Sequence, residues 1–385
     1  PQAGHRDNGD QGNLEPHIVD GEGEGDGQGG AEGAGAGVRS PQPTGNEPQT
    51  ERARQDSTHL VTLAVDGMQF RMRSERGNMG RMEPVRYIWM DGELVAWEDA
   101  TVHVLSHGLH YGTGVFEGIR AYETEAGPAV FRLTDHMDRF VRGAAAYQLP
   151  LPYSVEELSK AAREVIATNE LGACYIRPIV FLGTGSMGLN PTGATPHVAI
   201  AAWRWGAYLG DEGLRNGIRV GVSSWRRIHQ SMFIPDAKGT GGYINSVLAR
   251  LEANAGGFDE ALLLNMDGYI AEGSGENLFL IRDGIVRTPP TQAGALDGLT
   301  RQSVIQLLRD DGATVEEANL TRSDVYYADE AFFTGTAAEV TPIREVDHRT
   351  IGTGKPGPVT VRAQELFMSA VTGKLEGYRH WIDVV

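Results

Sequence analysis

Three Asp-Gly pairs constrain the fold of this chain most: Asp91-Gly92, Asp267-Gly268 and Asp283-Gly284, each flanked by apolar or aromatic residues. A two-residue turn between antiparallel strands demands positive φ, which Asp and Gly adopt at low cost. Each pair therefore predicts a hairpin tip. Helical patterns interleave with the hairpins. Met137, Phe140, Val141 and Ala144 recur at i, i+3, i+4 and i+7, behind a Thr134-Asp135 cap. Residues 155–169 repeat the pattern. Residues 300–310 repeat it again, with Thr300 as cap and Gly312 just past the end. Residues 359–371 form the fourth helix. The regular βαβ rhythm of a doubly wound sheet is missing. The expected fold class is α+β (mixed α/β), two-layered, with mixed or antiparallel sheets.

Residues 1–50 hold 13 Gly and nine acids but almost no bulky apolar side chains. Such a stretch cannot bury enough surface to offset its ordering entropy. Residues 1–81 are therefore expected to be a disordered, Gly-rich acidic extension, with one strand-like piece at 59–65. Met82 precedes the first strongly patterned segment, so 1–81 reads as a solvated tail or as the result of an early-set start.

Composition removes several function classes. The net charge of −17 argues against nucleic-acid binding, which rests on basic side chains. No run approaches the ~18 apolar residues of a membrane span. No targeting signal is legible, so the default location is cytoplasmic. Cys174 has no second cysteine to pair with and lies in an apolar strand, which reads as inert core.

Two motifs carry less than they suggest. Gly183-Thr-Gly-Ser-Met-Gly188 has the spacing of a dinucleotide loop, but Leu189-Asn-Pro191-Thr-Gly193 follows where a helix must open. A loop at a pocket rim fits better than a nicotinamide dehydrogenase. His103, His107 and His110 suggest a metal, yet no acid joins them as a third ligand. The run from Val102 to His107 reads as a strand that splays the rings. Core or hydrogen-bonded histidines are expected, and no metal.

Of 34 basic residues, only Lys160, Lys238, Lys355 and Lys374 are lysines. Lys238 is followed by Gly-Thr-Gly-Gly and then Tyr243, small residues that let a bulky ring approach the backbone. A lysine amine in a closed pocket can form a Schiff base with an aldehyde. Elsewhere the chain supplies partners for an aldehyde cofactor carrying a ring nitrogen and a phosphate. Glu272 can pair with a protonated pyridine nitrogen, making the ring an electron sink. Leu299-Thr300 opens a helix, where free amides and the dipole bind phosphate. Gly335-Thr336-Ala337 offers a second amide-rich turn. Arg139 lies off the apolar stripe of its helix and can reach a phosphate with two N–H bonds.

These residues sit in stretches that together are specific: Tyr87-Ile-Trp-Met-Asp-Gly-Glu, His107-Gly-Leu-His-Tyr111-Gly-Thr-Gly-Val-Phe116-Glu-Gly118-Ile-Arg120, Tyr175-Ile-Arg177-Pro, Trp205-Gly-Ala-Tyr208, Ala237-Lys238, Glu272-Gly-Ser-Gly-Glu-Asn-Leu-Phe279 and Gly335-Thr-Ala-Ala-Glu-Val-Thr341. From about Tyr87 to Trp381 the chain resembles the fold type IV pyridoxal-phosphate enzymes, and within them the branched-chain amino acid aminotransferases. The resemblance implies pyridoxal 5′-phosphate as cofactor and leucine, isoleucine or valine plus 2-oxoglutarate as substrates, in a ping-pong exchange. It implies a small domain at 82–204, a linker at 205–217, a large cofactor-binding domain at 218–385 and a homodimer or larger homo-oligomer. Lys238 would carry the cofactor and shuttle the proton. Tyr243 would bond the ring oxygen, Glu272 the ring nitrogen, and Arg139, Leu299, Thr300, Gly335 and Thr336 would hold the phosphate. Thr336-Ala337 and Tyr175 would take the substrate α-carboxylate. Phe116, Gly118, Trp205, Tyr208 and Tyr111 would line the side-chain pocket, Tyr111 from a neighbouring subunit. Arg177 would meet the distal carboxylate of glutamate, because Tyr175-x-Arg177 puts both polar groups on one strand face. D-amino acid transaminase and aminodeoxychorismate lyase are the alternatives within the same fold.

Overall fold

The computed structural model describes residues 64–65, 68–69, 83–206 and 209–385. The chain forms two compact units, residues 1–73 and 74–385. In the first, β1 (Ala64–Val65) pairs antiparallel with β2 (Met68–Gln69). The expected disorder of 1–81 otherwise lies outside the described residues.

The second unit holds two sheets. One is built from β3 (Tyr87–Met90), β4 (Glu93–Ala96), β5 (Gly114–Phe116), β6 (Ile119–Thr124), β7 (Gly127–Phe131), β8 (Cys174–Leu182) and β9 (Pro196–Trp203). The other is built from β10 (Ile218–Arg226), β11 (Glu260–Leu264), β12 (Ile270–Gly273), β13 (Asn277–Arg282), β14 (Ile285–Thr288), β15 (Val315–Glu317), β16 (Glu330–Gly335), β17 (Glu339–Val346) and β18 (Arg349–Thr350). The last strand, β19 (Ile382–Val384), returns to the first sheet beside β7. The first sheet is antiparallel throughout. The second is mixed, with parallel pairs β10–β11, β10–β17 and β14–β15. The mixed and antiparallel sheets match the expected class.

The helices are α1 (His107–Tyr111), α2 (Leu133–Ala146), α3 (Val155–Thr168), α4 (Gly210–Asn216), α5 (Tyr243–Ala255), α6 (Leu299–Asp310), α7 (Arg322–Tyr326) and α8 (Pro358–Val371). α3 starts in a capping box, in which Ser154 accepts from the Glu157 amide and Glu157 reaches back to Ser154. Its buried Leu158, Ala161, Ala162, Val165 and Ile166 join Met137 and Phe140 of α2 over the first sheet. Phe131 of β7 packs edge-on against Phe367 of α8, at 5.6 Å. First-sheet side chains thereby enter the core that α6 and α8 cover.

Several local expectations need correction. Asp91-Gly92 and Asp283-Gly284 are two-residue turns with positive φ at both positions. The third tip is longer: between β11 and β12, Asn265 Oδ1 accepts from the amides of Asp267 and Tyr269. Thr134-Asp135 does not cap α2, which begins one position earlier behind Arg132, at φ 51°. There the Arg132 amide donates to Trp381 O, so a tertiary contact fixes the start. Thr300 does not cap α6 either; Gly298 stands at the cap with no side-chain bond. The run 102–107 is a turn entering α1, not a strand. Ser106 donates twice to His103 O, which closes the chain on itself.

Candidate active site

Lys238 lies on the loop between β10 and α5. Its carbonyl accepts from the Phe116 amide at 3.0 Å, which stitches this loop to β5. Gly242 follows because the Phe233 ring packs there: a Cβ would meet Phe233 Cε1 at 2.6 Å. The half-buried Lys238 Nζ donates to Tyr243 Oη at 2.6 Å. Phe116 stands 4.8 Å edge-on from the Tyr243 ring and 5.3 Å from Nζ.

Glu272, buried on β12, is held on both oxygens. Arg227 Nη2 donates to Oε1 at 2.7 Å and the Leu296 amide to Oε2 at 2.9 Å. Arg139, on α2, donates Nε and Nη2 to the two oxygens of Glu117, at 2.7 and 2.9 Å, and Nη1 to Asp297 O at 2.7 Å. His136 Nδ1 lies 2.9 Å from Glu117 Oε2. Burial alone raises the Glu117 carboxyl, but the Arg139 charge and the bonds from His136 and Arg139 outweigh it and hold it well below the usual range. Burial lowers the His136 imidazole, against the pull of Glu117.

These groups converge. Arg139, Lys238, Tyr243, Glu272, Leu299, Thr300, Gly335 and Thr336 line one cleft with about 460 Å³ of empty space. They come from β12, β16, α2, α6 and the β10–α5 loop, so the cleft forms where those five segments meet. Glu276 also lines it, its carboxyl raised by burial against the attraction of Arg250 and the Gly275 amide. Thr334 Oγ1 is buried in the wall with no partner.

A second group surrounds Arg177 on β8. Its guanidinium lies 4.7 Å from the Phe116 ring and 5.2 Å from the Tyr175 ring, and Nη2 donates to Tyr175 Oη at 3.3 Å. Its Nε is buried without a partner. Trp205 stacks obliquely on Tyr175 at 4.7 Å. Gly118 is needed beside them, because a Cβ there would run into Tyr175 Oη. Arg120 reaches from β6 to the turn before β17, bridging Glu339 at 3.3 Å and lying 3.5 Å from Ala337 O. Phe116 touches both groups. Tyr208 lies outside the described residues. Tyr111 is exposed and donates to Met187 O, away from the cleft of its own chain.

Sequence reasoning missed Glu117, His136, Arg227 and Asp297. Glu117 had one signal, a carboxyl set between Phe116 and Gly118. Arg227 had none, since its partner Glu272 lies far along the chain. The histidine triplet is engaged separately: His107 with Thr113 Oγ1 and Gly188 O, His110 with Val104 O, His103 with the Leu105 amide. Residues 183–188 lead into β9 rather than a helix, which removes the dinucleotide reading. Cys174 is buried, and burial pushes its thiol up to about 12.

A family model described as amino-transferase class IV matches residues 114–346. The chain belongs to the class IV aminotransferases. This aminotransferase is 52% identical over 298 residues to the branched-chain-amino-acid aminotransferase of Pseudomonas aeruginosa, covering 77% of this chain and 97% of that relative. The crystal structure of the Escherichia coli branched-chain amino acid aminotransferase matches with a TM-score of 0.76 at 48% identity, over 78% of this chain and 99% of that one. A thermophile enzyme of the same name, complexed with N-(5′-phosphopyridoxyl)-L-glutamate, matches with a TM-score of 0.75 at 48% identity, over 78% and 98%. The fold type IV architecture expected from the motifs is therefore that of this aminotransferase. Among the described residues, no helix is long and apolar enough to cross a membrane.

Proposed function

We propose that this aminotransferase holds pyridoxal 5′-phosphate in the 460 Å³ cleft and exchanges an amino group between leucine, isoleucine or valine and 2-oxoglutarate, in two alternating half-reactions. One observation carries the reading: an amine, a phenol, a carboxylate and a guanidinium converge there beside a helix start without a side-chain cap. The donor set fits the cofactor. Arg139 gives three of the five N–H bonds of a guanidinium to protein acceptors and keeps the others. The first amides of α6 have no side-chain partner at the cap, and Thr334 Oγ1 is buried and unpartnered. Lys238 would bear the aldehyde carbon, Tyr243 the ring oxygen and Glu272 the ring nitrogen. Arg139, Leu299, Thr300, Gly335 and Thr336 would take the phosphate.

When bound, the cofactor supplies an electron sink for charge developing at the substrate Cα. Lys238 Nζ moves the proton at that Cα, and Tyr243 Oη keeps the amine aimed. Glu272, anchored by Arg227, holds a proton on the ring nitrogen. Thr336-Ala337 and Tyr175 Oη receive the α-carboxylate. Phe116 and Trp205 exclude water from an apolar side chain. Arg177 meets the distal carboxylate of 2-oxoglutarate, a role its partnerless Nε supports. The names of the relatives support the branched-chain substrates, and the glutamate adduct of the thermophile enzyme supports the second.

We infer a homodimer or larger homo-oligomer, in which Tyr111 completes a neighbour's pocket. Val102, Val104, Leu109 and Leu189 are exposed around it. Hydrogen bonds from His110 to Val104 O and from Tyr111 to Met187 O tie that face together. Sedimentation should show the oligomer, with Leu109→Asp dissociating it; a wild-type monomer at assay concentration contradicts this.

Paired assays test the function. Leucine plus 2-oxoglutarate should turn over, and D-alanine plus 2-oxoglutarate should not. Arg177→Ala should harm the 2-oxoglutarate half-reaction more than the leucine one. Preference for D-alanine, or equal losses in both halves, would count against the reading.

A further inference from the structure

We propose that Glu117 is a positioning residue that sets Arg139 to receive the cofactor phosphate. The proposal rests on the cofactor reading above and deepens it. Glu117 is wholly buried, and its two oxygens take Nε and Nη2 along one edge of the guanidinium. Asp297 O takes a hydrogen of Nη1. One hydrogen therefore remains on each Nη, and Arg139 lines the cleft. A guanidinium clamped on three donors cannot rotate, so the free pair keeps one direction. His136 donates from Nδ1 to Glu117 Oε2, because an ionised carboxylate can only accept. Burial keeps that imidazole neutral, so it orients Glu117 without adding charge.

Charge follows from the same contacts. Glu117 cancels the charge of Arg139, so Arg139 offers directed donors rather than net attraction. Attraction for the phosphate is left to the amides and dipole of α6. The chain economises here, because three consecutive residues serve both ends of the site. Phe116 faces Tyr243 and Arg177, Gly118 gives Tyr175 its room, and Glu117 between them holds Arg139.

The test titrates the cofactor-free protein with pyridoxal 5′-phosphate and, separately, with pyridoxal, followed by absorbance. Glu117→Gln should weaken the phosphorylated ligand about ten- to a hundredfold, the scale of a charge-assisted bond, and pyridoxal by about twofold or less. Arg139→Met should show the same selectivity, and the double variant should lose no more than the worse single one. Equal weakening of both ligands, no weakening, or full additivity overturns the proposal. Arg139→Lys is the second route should Glu117→Gln not fold. It keeps the charge but not the fork and should show the same phosphate-selective loss; wild-type affinity there overturns the proposal too. If the wild-type protein binds neither ligand, the cofactor reading fails and this inference falls with it. Wild-type binding with an unselective Glu117→Gln defeats only the inference.

Discussion

At Lys238 the amine stands 2.6 Å from a phenol and 5.3 Å from an aromatic face, in a cleft with two buried carboxyls. Replacing it with alanine removes the base for the Cα proton. Lys238→Ala should lower turnover by about a hundred- to ten-thousandfold while leaving the melting temperature near wild type. Retained turnover would contradict its role. Gly118 sets a steric test. A Cβ there runs into Tyr175 Oη, so Gly118→Ala must displace Tyr175 and, through it, Arg177. KM should rise for both amino acid and oxo acid; unchanged KM values would show that Tyr175 binds neither. Lys238 was legible because lysine is rare in this chain and its neighbours are small. Arg227 and Asp297 were not legible, because their partners meet them only after the chain folds.

Among the elements, α3 and α6 separate two kinds of helix start. Ser154 caps α3, so Ser154→Ala should cost about 1 kcal/mol of stability in a denaturant titration. Thr300 sits inside α6, so Thr300→Ala should cost less stability and instead weaken cofactor binding. The reverse order would mean that Thr300 caps after all. The sequence periodicity located both helices, but Thr300 was misread because a hydroxyl at a helix start usually serves the backbone. Here Gly298 takes the cap and leaves the amides open. On α2, buried His136 faces Glu117, Arg139 and Arg132, and burial lowers its imidazole from the usual 6.5. Below about pH 6.5 the unfolded chain binds a proton that the folded chain refuses, so stability falls with pH through that window. Glu117 titrates in the folded protein well below the ordinary carboxylate range, and its contribution is lost only under more acid conditions. His136→Gln should therefore flatten stability against pH between about 5 and 6.5; an unaltered slope would place the proton elsewhere.

Over the whole molecule, the first sheet is completed from the far end of the chain. β19 pairs with β7, the Arg132 amide donates to Trp381 O, and Trp381 packs edge-on against Phe131 at 5.9 Å. Removing residues 382–385 should cost about 2–4 kcal/mol from lost strand bonds and loosen the start of α2, where Arg132 also reaches Leu299 O and Gln302 Oε1. An unchanged melting temperature would contradict that coupling. The class of fold was legible from hairpin tips and helical stripes, since both are local. The strand order was not, because a three-residue strand such as β19 has no periodicity to detect and is specified by its partner. The cleft was legible as a set of residues through the motifs, while its geometry came from β12, β16, α2 and α6 meeting. The most direct measurement mixes cofactor-loaded protein with L-leucine and no oxo acid, following the visible spectrum and the oxo acid released. The expected result is loss of the visible band with about one equivalent of 4-methyl-2-oxopentanoate per chain, and recovery of the band on adding 2-oxoglutarate. A spectrum unmoved by leucine, with no oxo acid released, would contradict a branched-chain aminotransferase.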